Sequence, residues 1–156
     1  MDYKQITRFN IENQVRDNIK KLILDTISVK NVKVLEQEPF TGDRGFDTYP
    51  YIILPQFEES FDEYLKGNQQ ITFNVVGYIH HDYTKLGDDK LKVLKQELRQ
   101  IGTFREYKRM LNNYGISWFD VTDIGSTLIR PRIVDNKPIV EVPFTLQVIV
   151  DVFMDA

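Results

Sequence analysis

Ile139-Val-Glu-Val-Pro-Phe-Thr-Leu-Gln-Val-Ile-Val-Asp-Val-Phe-Met154 is the stretch on which the fold turns. Val140, Val142, Phe144, Leu146, Val148, Val150, Val152 and Met154 alternate with Glu141, Pro143, Thr145, Gln147, Ile149, Asp151 and Phe153. A period of two puts successive side chains on opposite faces, so this is a strand with one apolar face. Its length far exceeds the usual strand of about 5–6 residues. It is therefore expected to project past its own sheet or to bend around a bulge, leaving some backbone for a partner chain. Pro143 has no N–H to donate to a ladder, which places it at an edge or a bulge.

Working outward, a turn at Asp135-Asn136-Lys137 joins this strand to one over Thr127–Val134, and Ile116–Asp123 precedes that. Further upstream, Gln56–Leu65 and Gln69–His80 are β-rich runs separated by Lys66-Gly67-Asn68, which suits a tight hairpin. In the second run Ile71, Phe73, Val75, Gly77 and Ile79 share one face, which is expected to be buried. Tyr51–Leu54 reads as a short strand ended by Pro55, and Asn31–Glu36 as another. Pro39, Gly42, Gly45 and Pro50 mark the loop between those two.

The helices have a different period. Ile11, Val15, Ile19, Leu22, Ile23 and Ile27 recur three and four apart, giving an amphipathic helix over Ile11–Ile27 with Asn10 as N-cap. Leu91, Leu94, Leu98 and Ile101 define a second over Asp88–Ile101, stopped by Gly102. A weaker helical piece spans about Phe104–Asn113 and is closed by Gly115. The order predicts an α+β domain: a mostly antiparallel or mixed sheet with a hairpin, and two main amphipathic helices packed on one face. Residues 1–156 are read as one domain.

Composition narrows the chemistry. The chain has 156 residues with 20 basic and 23 acidic side chains, a formal charge of −3 and no cysteine. Thiol catalysis, zinc–thiolate and iron–sulfur sites and disulfides are excluded. The slight acidity disfavours a general polyanion binder, and no apolar run approaches the ~20 residues that cross a bilayer. A cytosolic protein without a membrane segment is expected.

Three constellations invite a chemical reading. His80-His81-Asp82 joins two imidazoles to a carboxylate, but neighbours on a strand point to opposite faces, so the pair is expected at a strand end entering a polar loop rather than gripping one ion. Thr41-Gly42-Asp43-Arg44-Gly45-Phe46 has two glycines three apart, yet no Gly-Lys-Ser/Thr follows and no helix begins there, so a surface loop that docks through Arg44 and Phe46 is the better reading. Glu58 and Glu59 are adjacent strand residues facing oppositely, which gives no carboxylate pair for glycoside chemistry. No catalytic residue, metal site or cofactor is expected.

Charge, however, is unevenly placed. Lys90, Lys92, Lys95, Arg99, Arg105, Lys108 and Arg109 against Glu97 and Glu106 leave an excess of five positive charges between residues 90 and 114. Glu58, Glu59, Asp62 and Glu63 against Lys66 leave an excess of three negative charges in the hairpin. A two-sided subunit of this kind suits head-to-tail contact between copies. The candidate interface residues are Arg44, Phe46, Glu58, Glu59, Asp62, Glu63, Arg105, Lys108 and Arg109.

The order of elements resembles the tail terminator, or tail-to-head joining, proteins of long-tailed bacteriophages. The resemblance spans nearly the whole chain: the helix from Val15 to Ile27, Tyr49-Pro-Tyr-Ile-Ile-Leu54, the strand Ile71-Thr-Phe-Asn-Val-Val-Gly-Tyr78, the Leu-rich helix Leu91–Ile101, and the closing Pro143-Phe-Thr-Leu-Gln-Val148. It implies a structural, non-enzymatic virion protein at the head-proximal end of the tail, assembled in the host cytoplasm. Such a protein forms a hexameric ring that caps the tail tube, stops its polymerisation and meets the head. The implied partners are further copies of the chain, the tube protein, a neck or head-completion protein, and a sheath protein if the tail contracts, with no membrane and no specific nucleic acid. Another connector, neck or tail tube protein is one alternative; a small-molecule-binding or enzymatic α+β domain is another.

Overall fold

The structure is a computed structural model and describes residues 6–7, 10–30, 32–36, 50–65, 68–83, 89–103, 109–131 and 138–153; side chains at 6–7, 60–65, 68–69, 102–103 and 153 are outside the description. Its elements are β1 (Ile6–Thr7), α1 (Ile11–Thr26), β2 (Lys33–Leu35), β3 (Tyr51–Leu65), β4 (Asn68–Asp82), α2 (Lys90–Thr103), a 3-10 turn (Leu111–Tyr114), β5 (Trp118–Ile124), β6 (Leu128–Pro131) and β7 (Pro138–Phe153). The strands form one seven-stranded mixed sheet in the order β1-β7-β4-β3-β2, with β5 and β6 also paired to β7. This is the α+β architecture expected from the pattern.

The apolar stripes end where periodicity puts them. Val15, Ile19, Leu22 and Ile23 of α1 and Leu91, Leu94, Leu98 and Ile101 of α2 join Ile71, Phe73, Val75 and Ile79 of β4 and the even-numbered residues of β7 in one buried cluster. Both helices thus cover one face of the sheet. Burial of an aliphatic side chain of this size contributes about 1.5–3 kcal/mol, so this layer is the main source of stability. Tyr114, in the 3-10 turn, ties it to α1 by donating a 2.6 Å hydrogen bond to Asp25. Gly115 closes that turn at φ 69°, a left-handed conformation that glycine adopts without strain.

Several local expectations are corrected. Asn10 stands at the N-cap of α1 but in a left-handed conformation, and its side chain makes no capping hydrogen bond. Gly102 does not stop α2, which runs on to Thr103. Pro55 does not end a strand. β3 continues through it, with a register shift from Ile53↔Tyr78 to Gln56↔Val76 that leaves Leu54 and Pro55 together opposite Gly77. Among the described residues β2 pairs β3 only at Tyr51–Ile53, so within them the bulge lies on a sheet edge, where a missing N–H costs little.

The long last strand is the largest correction. β7 neither projects nor bulges: it pairs β4 continuously from Asn68↔Phe153 to Asp82↔Ile139. Its other side is covered in relay by β6 (Leu128↔Glu141 to Pro131↔Pro138), β5 (Trp118↔Ile149 to Ile124↔Phe144) and β1 (Ile6↔Val152). Among the described residues, β7 is therefore paired along its whole length on one side and, apart from short breaks between β6 and β5 and between β5 and β1, on the other.

Pro143 is accordingly internal, not at an edge. Its carbonyl accepts a 2.8 Å hydrogen bond from Gly125 N–H, so its own nitrogen points to the same side, into the break between β5 and β6. The proline occupies the gap in the relay where no ladder bond is asked of it. Pro143→Ala is therefore expected to change stability by less than about 1 kcal/mol, whereas Thr145→Pro, two residues on and inside the β5 ladder, is expected to cost ~3 kcal/mol or more. Chemical denaturation of the two variants checks this, and equal losses would refute it.

Candidate functional site

The face of the sheet away from the helices carries the polar groups. At one end of it the register brings four side chains from four strands together: Tyr51 (β3) opposite His80 (β4), His80 opposite Glu141 (β7), and Arg130 (β6) one ladder step away opposite Ile139. His80 Nε2 lies 2.8 Å from Glu141 Oε2, and Nδ1 lies 3.0 Å from the Tyr51 hydroxyl. Arg130 Nε donates to the same Glu141 oxygen at 2.8 Å, and its Nη1 donates to the Pro131 carbonyl.

The chemistry assigns the protons. An ionised carboxylate only accepts, so His80 carries a proton on Nε2 and donates it to Glu141; in the neutral imidazole Nδ1 then accepts from Tyr51. The 3.4 Å approach of Arg130 Nη2 to His80 Nε2 is consequently a contact between two donors that share one acceptor. His80 and Tyr51 are 0% and 1% exposed. The side chains of Glu141 and Arg130 are 15% and 29% exposed, so the relay runs from the interior outward. Burial by itself raises the Glu141 carboxyl, but the hydrogen bonds and charges of Arg130 and His80 outweigh it and hold it below its ordinary value.

Both His80 nitrogens are engaged within the fold, which leaves neither for a metal ion or a substrate proton. His81, one residue on, points to the helix-bearing face and is also fully buried. The two histidines face oppositely and lie at the end of a strand, as read from the sequence: they are the third- and second-last residues of β4, which ends at Asp82, and both are buried and paired with β7. Among the described residues no group of three or more His, Asp or Glu side chains is arranged to hold a metal.

Midway along the sheet the register shift in β3 and a second one at Thr122 in β5 bend the strands. A groove of about 590 Å³ follows, lined among others by Phe57, Val76 and Asn74 and by the acids Glu12 and Glu58. Thr122 and Thr145, joined at 2.6 Å, close its far side.

Of the residues singled out in the sequence, Glu58 and Glu59 are exposed on β3 and face oppositely, Glu58 paired with Asn74 and Glu59 with Phe73. Asp62 and Glu63 lie in β3 with side chains outside the description. Arg109 is exposed just before the 3-10 turn. Arg44, Phe46, Arg105 and Lys108 lie outside the described residues, as does the loop from Thr41 to Asp47. Tyr51, Arg130 and Glu141 were not singled out; the only signal for Glu141 was a lone acid on the polar face of β7 near Pro143.

No family model matches this chain, and no curated protein matches it.

Proposed function

We propose that this chain is a ring-forming structural subunit of a tailed-phage particle, of the kind that terminates the tail tube and joins it to the head. One observation carries the proposal: the sheet has two different, partly uncovered edges. Among the described residues, β3 beyond Ile53 has a paired neighbour only in β4, and its outer side bears exposed Glu58 and Glu59. At the opposite edge, β5 and β6 expose Trp118, Leu128 and Ile129, the last two 54% and 58% exposed.

A ring closed by rotation needs two unlike surfaces on each subunit, because the contact is head to tail. Large apolar side chains on an edge strand mark such a contact, since an edge left bare invites uncontrolled pairing. The buried Tyr51–His80–Glu141–Arg130 relay fits a structural part: it pins β6 to the sheet and engages both imidazole nitrogens. On this reading the partners are further copies of the chain, the tube protein, a neck or head-completion protein, and a sheath protein where the tail contracts.

Electron microscopy of the purified protein at high concentration tests the reading. Closed rings of one diameter are expected. Tubes that lengthen without limit would replace the terminator by a tube subunit, and a protein that stays monomeric at every concentration would overturn self-assembly.

A further inference from the structure

We infer that the groove at the β3 edge is the docking surface for a second copy of this chain, which enters it with the basic flank of α2. This rests on the ring reading above and assigns the two surfaces that meet. The groove is lined by the partly buried Phe57 and Val76, with the acids Glu12 and Glu58 at its rim. Glu36 lies at the same corner: Arg16 sits 3.2 Å from Glu12 and 3.8 Å from Glu36, with its guanidinium 4.4 Å above the Phe57 ring. Among the described residues, Glu12 and Glu36 thus flank the largely covered Arg16 guanidinium at this corner.

The opposite edge has the opposite sign. Lys92, Lys95 and Arg99 are spaced three and four apart on α2, which aligns them in one stripe along the helix. Lys92 and Arg99 are exposed, and Lys95 reaches Thr127, beside exposed Leu128 and Ile129, at 3.5 Å. α2 packs over β5 while Arg16 of α1 packs on Phe57 of β3. The groove runs across the sheet to Thr122 on β5, but its acidic rim at Glu12 and Glu58 is separated from the basic stripe by the width of β3, β4, β7 and β5, roughly 14 Å of sheet. Each surface carries apolar area and one sign of charge. They cannot meet within one molecule, but they complement each other between copies, and repeating that contact propagates head to tail.

The test is a charge exchange read by sedimentation velocity at low salt. Glu12→Lys/Glu58→Lys reverses the groove rim, and Lys92→Glu/Arg99→Glu reverses the stripe; circular dichroism confirms that both fold, with Glu58→Lys alone as the milder form of the first. Each variant by itself is expected to associate on the order of tenfold more weakly than the parent chain, or worse, because like charges then face each other. Mixed one to one, they are expected to reassemble into rings with an even number of subunits in which the variants alternate, since every contact is again between unlike charges. Raising salt to ~500 mM should erase the difference between variants and parent.

If the parent forms rings and the variants form them equally well, the groove and stripe are not the contact, while the ring reading stands. If the variants dissociate and the mixture does not reassemble, the two surfaces do not meet each other, and the second copy is overturned as the occupant. If the parent never assembles, the ring reading falls and this inference with it.

Discussion

Gly77→Ala is expected to destabilise the protein by about 1–3 kcal/mol, a large part of the ~5–15 kcal/mol that holds a domain of this size together. A Cβ placed on Gly77 would lie 2.5 Å from Phe144 Cζ, 2.8 Å from Phe144 Cε2 and 2.9 Å from Leu54 Cδ2. None of these atoms has room to retreat. Phe144 is 1% exposed at the centre of β7, and Leu54 is fully buried on the β3 bulge directly across from Gly77. The glycine lets the Phe144 ring lie flat over the β4 backbone, and the bulge at Leu54–Pro55 delivers the leucine to the same spot. Gly77→Val is expected to cost more than alanine. Phe144→Leu, itself a cavity-forming change, should cost less in the Gly77→Ala background than alone, a coupling that a double-mutant cycle in urea would measure. Unchanged midpoints for Gly77→Ala would refute this account of the packing.

The same position shows what a pattern can and cannot reveal. The alternation Ile71, Phe73, Val75, Gly77, Ile79 identifies a strand and its buried face, because a period of two depends only on local geometry. It cannot say why one member of the series lacks a side chain, since that depends on which residues of β3 and β7 lie across from it. Pro55 misleads for a related reason. A proline ends a strand only where its missing N–H is needed, and the need is set by the neighbouring strand; among the described residues β2 stops pairing at Ile53, so none of them asks for an N–H at residue 55. Pro143 was placed at an edge by the same rule and lies instead in an internal strand, at a gap between two neighbours that no reading of β7 alone could locate.

The polar relay was legible only at one point. His80 stood out because the chain has two histidines, but its partners are 29 and 61 residues away, on strands whose register the sequence does not display. Arg130 reads locally as one more surface cation before a proline. The uneven charge, by contrast, is a property of composition along the chain. Of the described side chains that carry it, Glu58 and Glu59 lie on β3 and Lys92, Lys95 and Arg99 on α2.

Glu141 is where that relay is expected to fail. Glu141→Leu keeps a side chain of similar length but removes the carboxylate that serves both His80 and Arg130. It takes the hydrogen bond to Glu141 from a fully buried imidazole N–H and from a partly buried guanidinium, and breaking a pair of this kind costs about 3–5 kcal/mol. The lower end applies here because Arg130 is 29% exposed and can turn to water. Glu141→Gln keeps an acceptor oxygen and loses only the charge, so it is expected to cost about 1–2 kcal/mol at neutral pH. Tyr51→Phe should cost less still, since it removes a single neutral hydrogen bond.

The pH dependence separates charge from shape. The folded carboxyl is held below its ordinary value of 4.5, so its contribution to stability is fully present above that value and is lost as the pH falls through the lower, folded value. The stability difference between the parent chain and Glu141→Gln should therefore be constant near neutrality and shrink below pH 4.5, as measured by urea denaturation across the acid range. A difference that stays constant down to the acid limit would mean that the carboxylate's charge does not hold β6 in place, and that the relay acts through shape alone.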